Sequence, residues 1–148
     1  MVAQGGAFGG WSVYVKGGKP KYCYNLFGLQ RFTIQGETAI PPGTHQVRME
    51  FTYDGGGLAK GGAVKLFVDG DEVGQGRVEG TVPMLFSGDE TLDLASDTAS
   101  AVSDDYTPEE STFTGTVKWV QIDIGESAED LDHLISPEER LAIAMARQ

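Results

Sequence analysis

Three aspartates are of the residue type that could do metal chemistry. Asp97, Asp104 and Asp105, with Ser103 and nearby backbone carbonyls, offer the oxygen donors that a hard cation such as calcium accepts in flexible geometry. The dense Asp-x-Asp-x-Asp-Gly spacing of a dedicated calcium loop is absent, and the competing reading is an acidic lid or interface loop. The two histidines stand apart: His45 follows a proline-glycine turn at a strand start, and His133 lies in an acidic, helix-like stretch. Each is expected at the surface or at a cap rather than in a metal or base pair. Cys23 is the lone cysteine, so no intrachain disulfide and no cysteine zinc site form, and its Tyr22-Cys23-Tyr24 setting reads as a structural thiol. The run Gly55-Gly-Gly-Leu-Ala-Lys60-Gly-Gly62 has the glycines of a phosphate loop without the Gly-Lys-Ser/Thr order, and a strand follows it, so it reads as a loop between strands. Asp89-Glu90 and Glu109-Glu110 supply acid and base types, but adjacent carboxylates in acidic loops point apart into water. The aromatics Trp11, Tyr14, Tyr22, Tyr24 and Trp119 would stack on sugar rings if they shared an exposed face. Alternation, which puts Trp11, Val13 and Val15 together, favours burial for Trp11.

The elements that must position these residues are strands. His45–Tyr53 alternates strictly, with Val47, Met49, Phe51 and Tyr53 on one face and Gln46, Arg48, Glu50 and Thr52 on the other. Trp11–Val15 and Tyr22–Leu26 flank Lys16-Gly17-Gly18-Lys19-Pro20 as a hairpin, and Gln30–Ile34 supplies a further strand. Ala63–Val68 and Glu72–Val78 are expected to pair across Asp69-Gly70-Asp71, a turn that suits positive backbone angles. Pro83–Phe86 and Thr91–Leu94 are short candidates. Phe113–Ile124, rich in β-branched and aromatic residues, is expected to close a sandwich, with Gly115 marking a bulge or close contact. The period then changes: Ser136-Pro137-Glu138-Glu139 gives a cap, a first-turn proline and a capping-box glutamate, which predicts a helix over about 137–146. A shorter helical piece is expected near 130–134, and together the two pieces give Leu131, Leu134, Ile135, Leu141 and Met145 as an apolar set. The expected division is a β-sandwich over 1–125 and a helical appendage over 126–148.

The chain has 148 residues, 40% of them hydrophobic, and 21 glycines spread without period, as expected for one turn-rich β domain. A formal charge of −11 argues against nucleic acid and anionic membrane as partners, because both require a concentrated basic footprint. The first residues carry neither the charged nor the apolar region of a signal peptide, and no apolar run nears the ~20 residues of a membrane helix. The compartment stays undetermined by the sequence, with a cytoplasmic location the favoured expectation. The opening residues also read as starting inside a strand, as in a domain once joined to a longer protein.

Several motifs, collinear along the chain, resemble the C-terminal domain of large bacterial arylsulfatases: Gly9-Gly-Trp-Ser-Val-Tyr-Val-Lys16, Gly18-Lys-Pro-Lys-Tyr-Cys-Tyr-Asn25, Pro42-Gly-Thr-His-Gln-Val-Arg48, Tyr53-Asp-Gly-Gly-Gly57, Val102-Ser-Asp-Asp-Tyr106 and Asp132-His-Leu-Ile-Ser-Pro-Glu-Glu-Arg140. Leu66-Phe-Val-Asp-Gly70 followed by Phe113-Thr-Gly-Thr-Val117 is similar to concanavalin-like and laminin-G-like folds. The resemblance implies a mostly β, antiparallel jelly-roll sandwich with a short C-terminal α-helix. Sulfatases build a formylglycine nucleophile from Cys-x-Pro-x-Arg, but Asn25 and Phe27 stand where the proline and arginine would follow Cys23. The resemblance therefore implies a non-catalytic accessory domain without cofactor, whose partner is a sulfatase catalytic domain in cis or in trans. Leu131, Leu134, Leu141 and Met145 would dock, and Tyr106 of the Asp104-Asp105-Tyr106 loop would approach the partner. A docking face left bare would permit self-association. A free-standing lectin-like module that binds carbohydrate, with calcium, is the alternative from another class. An independent hydrolase lacks an identifiable nucleophile and base.

Overall fold

Glycine pairs and Asp-Gly steps set the strand boundaries. Gly17 and Gly18 both take positive φ, as do Asp69 and Gly70, and each pair makes the two-residue turn whose twist matches an antiparallel hairpin. The first turn joins β2 (Gly9–Lys16) to β3 (Lys19–Leu26), and the second joins β6 (Gly62–Val68) to β7 (Asp71–Val78), as the sequence predicts. The other strands are β1 (Val2–Gly6), β4 (Gln30–Gln35), β5 (Val47–Tyr53) and β8 (Leu92–Leu94), and Pro108–Glu110 forms a single 3-10 turn. The computed structural model describes residues 1–84, 86 and 90–124. The expected helices, His133, Asp89 and the docking residues Leu131, Leu134, Leu141 and Met145 lie outside the described residues.

Two antiparallel sheets result, one ordered β4-β3-β2-β1-β8 and the other β5-β6-β7. Their facing sides bury Tyr22, Tyr24, Ile34, Val64, Leu66 and Val78, with Trp11, Val13, Phe32, Met49 and Phe51 packed around them. Trp11 is therefore on the core side, as its alternation predicts. The sheets are tied together where β4 approaches β7: the Glu37 amide donates to the Val73 carbonyl at 2.7 Å. Gly76 permits that approach, because a Cβ there would lie 2.5 Å from Ile34 Cγ1.

One expected strand does not form. Among the described residues the backbone between Phe113 and Ile124 joins no ladder; the Phe113 amide bonds back to the Ala95 carbonyl at 2.7 Å. Strand propensity expresses itself through cross-strand packing, and β8, the edge strand beside Ala95, is only three residues long. Pro83, Met84 and Phe86 also form bends rather than a strand. The chain divides into two compact units, Met1–Lys118 and Trp119–Gln148, earlier than the expected 125/126 boundary. Among the described residues no helix is long and apolar enough to cross a membrane.

Candidate functional site

The outer face of the larger sheet is polar in sequence yet buried in place. Register puts Ser12 opposite Cys23, Tyr14 opposite Lys21, and Cys23 opposite Thr33, all on the face turned away from the core. Ser12, Tyr14, Cys23 and Asn25 are nonetheless buried, because a strap formed by residues 97–111 crosses this face. Buried polar groups must find partners; the strap supplies them for Ser12 and Tyr14, whereas Asn25 donates to the Gly6 and Ala7 carbonyls and accepts from the Gly28 amide.

Asp105 is the first anchor. Its Oδ2 accepts from Lys21 Nζ at 2.6 Å and from Tyr14 Oη at 2.7 Å, while its carbonyl receives Lys16 Nζ. Ser103 Oγ lies 3.0 Å from the same Tyr14 hydroxyl. Burial works against the charge on Asp105, but Lys21 and Tyr14 outweigh it and the carboxyl pKa falls. Tyr106 is the second anchor, donating to Asp97 Oδ2 at 2.6 Å and lying 3.0 Å from Ser12 Oγ. Its ring meets that of Tyr14 edge to face, with centroids 5.1 Å apart. The Asp97 carboxylate also accepts from the Val102 amide at 3.0 Å. Among the described residues no cation pairs with Asp97, and burial pushes its pKa up. Arg31 is the third anchor, donating through Nε to the Val102 carbonyl at 2.9 Å and pairing with Asp104 at 3.3 Å.

The three aspartates offered as donors for calcium, or as an acidic lid or interface loop, turn to different protein partners: Asp97 to Tyr106, Asp104 to Arg31, and Asp105 to Lys21 and Tyr14. Among the described residues no group of three or more His, Cys, Asp or Glu side chains is arranged to hold a metal ion. Cys23 is fully buried beneath the strap, and burial raises its thiol pKa. Of the aromatics, Tyr14, Tyr22 and Tyr24 are buried and Trp119 is exposed, so the five do not share one exposed face.

Sequence reading missed Ser12, Lys16, Lys21 and Arg31 as anchors. Ser12 and Arg31 stood within predicted strands and Lys21 just before one, placements that mark a sheet but not what crosses it. It also missed a link on the smaller sheet. His45 Nδ1 lies 2.6 Å from Asp69 Oδ2, and Asp69 Oδ1 accepts from the Gln46 amide at 2.8 Å. The hydrogen bond to Asp69 raises the His45 pKa. The glycine-rich loop closes around Tyr53, whose hydroxyl accepts from the Lys60 amide at 3.0 Å and donates to the Gly57 carbonyl. A cleft of about 640 Å³ beside the strap is lined by Met1, Tyr14, Lys16, Tyr106, Glu110 and Phe113 among others.

Comparison with protein-family models, with curated proteins and with solved structures finds no match.

Proposed function

We propose that this chain is the non-catalytic C-terminal accessory domain of an arylsulfatase-like sulfate-ester hydrolase, a β-sandwich that docks on and supports a catalytic domain. The observation that carries the reading is the use made of Val102–Tyr106. Ser103, Asp105 and Tyr106 spend their polar groups on Tyr14, Lys21, Ser12 and Asp97. A nucleophile or base needs a group free to meet substrate, whereas a supporting domain needs a rigid face. Cys23, with its raised pKa, sits in the reverse of the setting that activates a nucleophilic thiol. Jelly-roll connectivity belongs to the same proposal, supported by β8 returning through a long connection to lie beside β1.

The test is turnover of a chromogenic aryl sulfate by the purified chain, with and without calcium, beside an active arylsulfatase. The expected result is silence beside the active control, together with stabilisation of an arylsulfatase catalytic domain that lacks its own C-terminal domain. Turnover that survives repurification would overturn the reading. Carbohydrate binding is the second reading, favoured by the cleft at Tyr14, Tyr106 and Phe113. Saturable binding of oligosaccharides by calorimetry, lost on substitution of Glu110, would favour it.

A further inference from the structure

An open strand edge and an unused strand occur in the same chain. β5 ends the smaller sheet, and among the described residues nothing pairs with its outer side. The Gln46 carbonyl and the Asp54 amide, flanking β5, both bond toward the β6 side. By the two-residue period, the backbone groups of Val47, Met49, Phe51 and Tyr53 therefore face the free edge. Their side chains are half-buried. A free edge of this length is a template for another strand. The segment Lys118–Ile124 has the matching pattern, with Val120, Ile122 and Ile124 on one face and Trp119, Gln121 and Asp123 on the other. It joins no ladder, and Trp119, Val120, Ile122 and Ile124 are 62%, 37%, 51% and 78% exposed.

We propose that Lys118–Ile124 of one copy adds antiparallel to the free edge of β5 in a second copy, and reciprocally, to give a two-fold dimer. One register satisfies both faces. It sets Ile124 opposite Val47, Ile122 opposite Met49 and Val120 opposite Phe51 on the core side. It also sets Asp123 opposite Arg48, whose present carboxylate partner is Glu50 on its own strand and whose guanidinium lies over the Phe67 ring. A slip of one residue would turn all three apolar side chains to solvent. β8 is a poorer acceptor, being three residues long. Reciprocal exchange uses the same two patches on each copy, as a two-fold axis requires. The dimer does not depend on the accessory-domain reading.

In this register Arg48 and Asp123 form a non-hydrogen-bonded pair, with Cα atoms roughly 4.5 Å apart, within reach of a disulfide. The single variants Arg48→Cys and Asp123→Cys of the full chain are mixed and oxidised. The expected product is a disulfide heterodimer that neither variant forms alone; Cys23 is buried and does not compete. Sedimentation equilibrium of the wild type is expected to show a dimer, weakened about tenfold or more by Ile122→Lys, with the far-UV spectrum of the variant unchanged. Three results would overturn the proposal: a monomeric wild type, a dimer that does not cross-link, or a cross-link that forms only within one chain carrying both cysteines.

Discussion

Asp97 and Asp105 belong to one strap, and their pKa values move in opposite directions. Among the described residues Asp105 has cationic partners and Asp97 has none, so the buried Asp97 is held there by hydroxyl and amide donors. Replacing Tyr106 by Phe keeps the ring contact with Tyr14 but leaves Asp97 Oδ2 with the Val102 amide as its partner. The expected loss of stability is about 1–3 kcal/mol in urea unfolding, and an unchanged midpoint would mean that the strap is not held there. His45 offers a pH test with a definite sign. Its folded pKa stands above the ordinary 6.5, so its link to Asp69 contributes fully below that value and is lost as pH rises through the folded pKa. Asp69 is shifted below 3.8, so its contribution is present above 3.8 and is lost as pH falls through its own folded pKa. The pair thus favours the fold most between those two reference values. His45→Gln should flatten the decline in melting temperature on the alkaline side of this window; an unaltered slope would assign the decline to other groups.

At the scale of elements, the two sheets meet through β4 and β7, and that meeting depends on a missing side chain. Gly76→Val would drive a branched carbon into Ile34, which is itself buried in the core. Overpacking of this kind costs typically about 1–3 kcal/mol, and a variant with wild-type stability in denaturant would show that β4 yields readily. The hairpins were legible because their information is local: Gly17-Gly18 and Asp69-Gly70 specify turns, and alternation in Val47–Tyr53 specifies a face. The strap was not legible, because Tyr14 and Asp105 meet from 91 positions apart and nothing near either residue encodes the other. Val102–Tyr106 stood out in the sequence as a unit, and its acidic residues suggested a cation; what the sequence did not show is that Asp104 pairs with Arg31 and Asp105 with Lys21 and Tyr14. Phe113–Ile124 failed for a different reason. Its composition favours a strand, but a strand exists only beside a partner, and local sequence does not name one.

At the scale of the whole chain, the described strands, the strap and the buried core all lie within Met1–Lys118. The remaining segment carries seven of the 22 acidic residues and two of the 11 basic ones. A Met1–Lys118 fragment therefore keeps the packing that drives folding and sheds part of the like charge that opposes compaction. It is expected to unfold cooperatively, with a midpoint near that of the dilute full chain and a smaller dependence on salt. It also lacks Trp119–Ile124, so strand exchange predicts that it stays monomeric at concentrations where the full chain pairs. Sedimentation and urea unfolding of the two chains side by side separate these roles. A fragment that fails to fold would move part of the folding energy beyond Lys118. A folded fragment that still dimerises would place the contact on the sandwich itself and leave the β5 edge free for another strand.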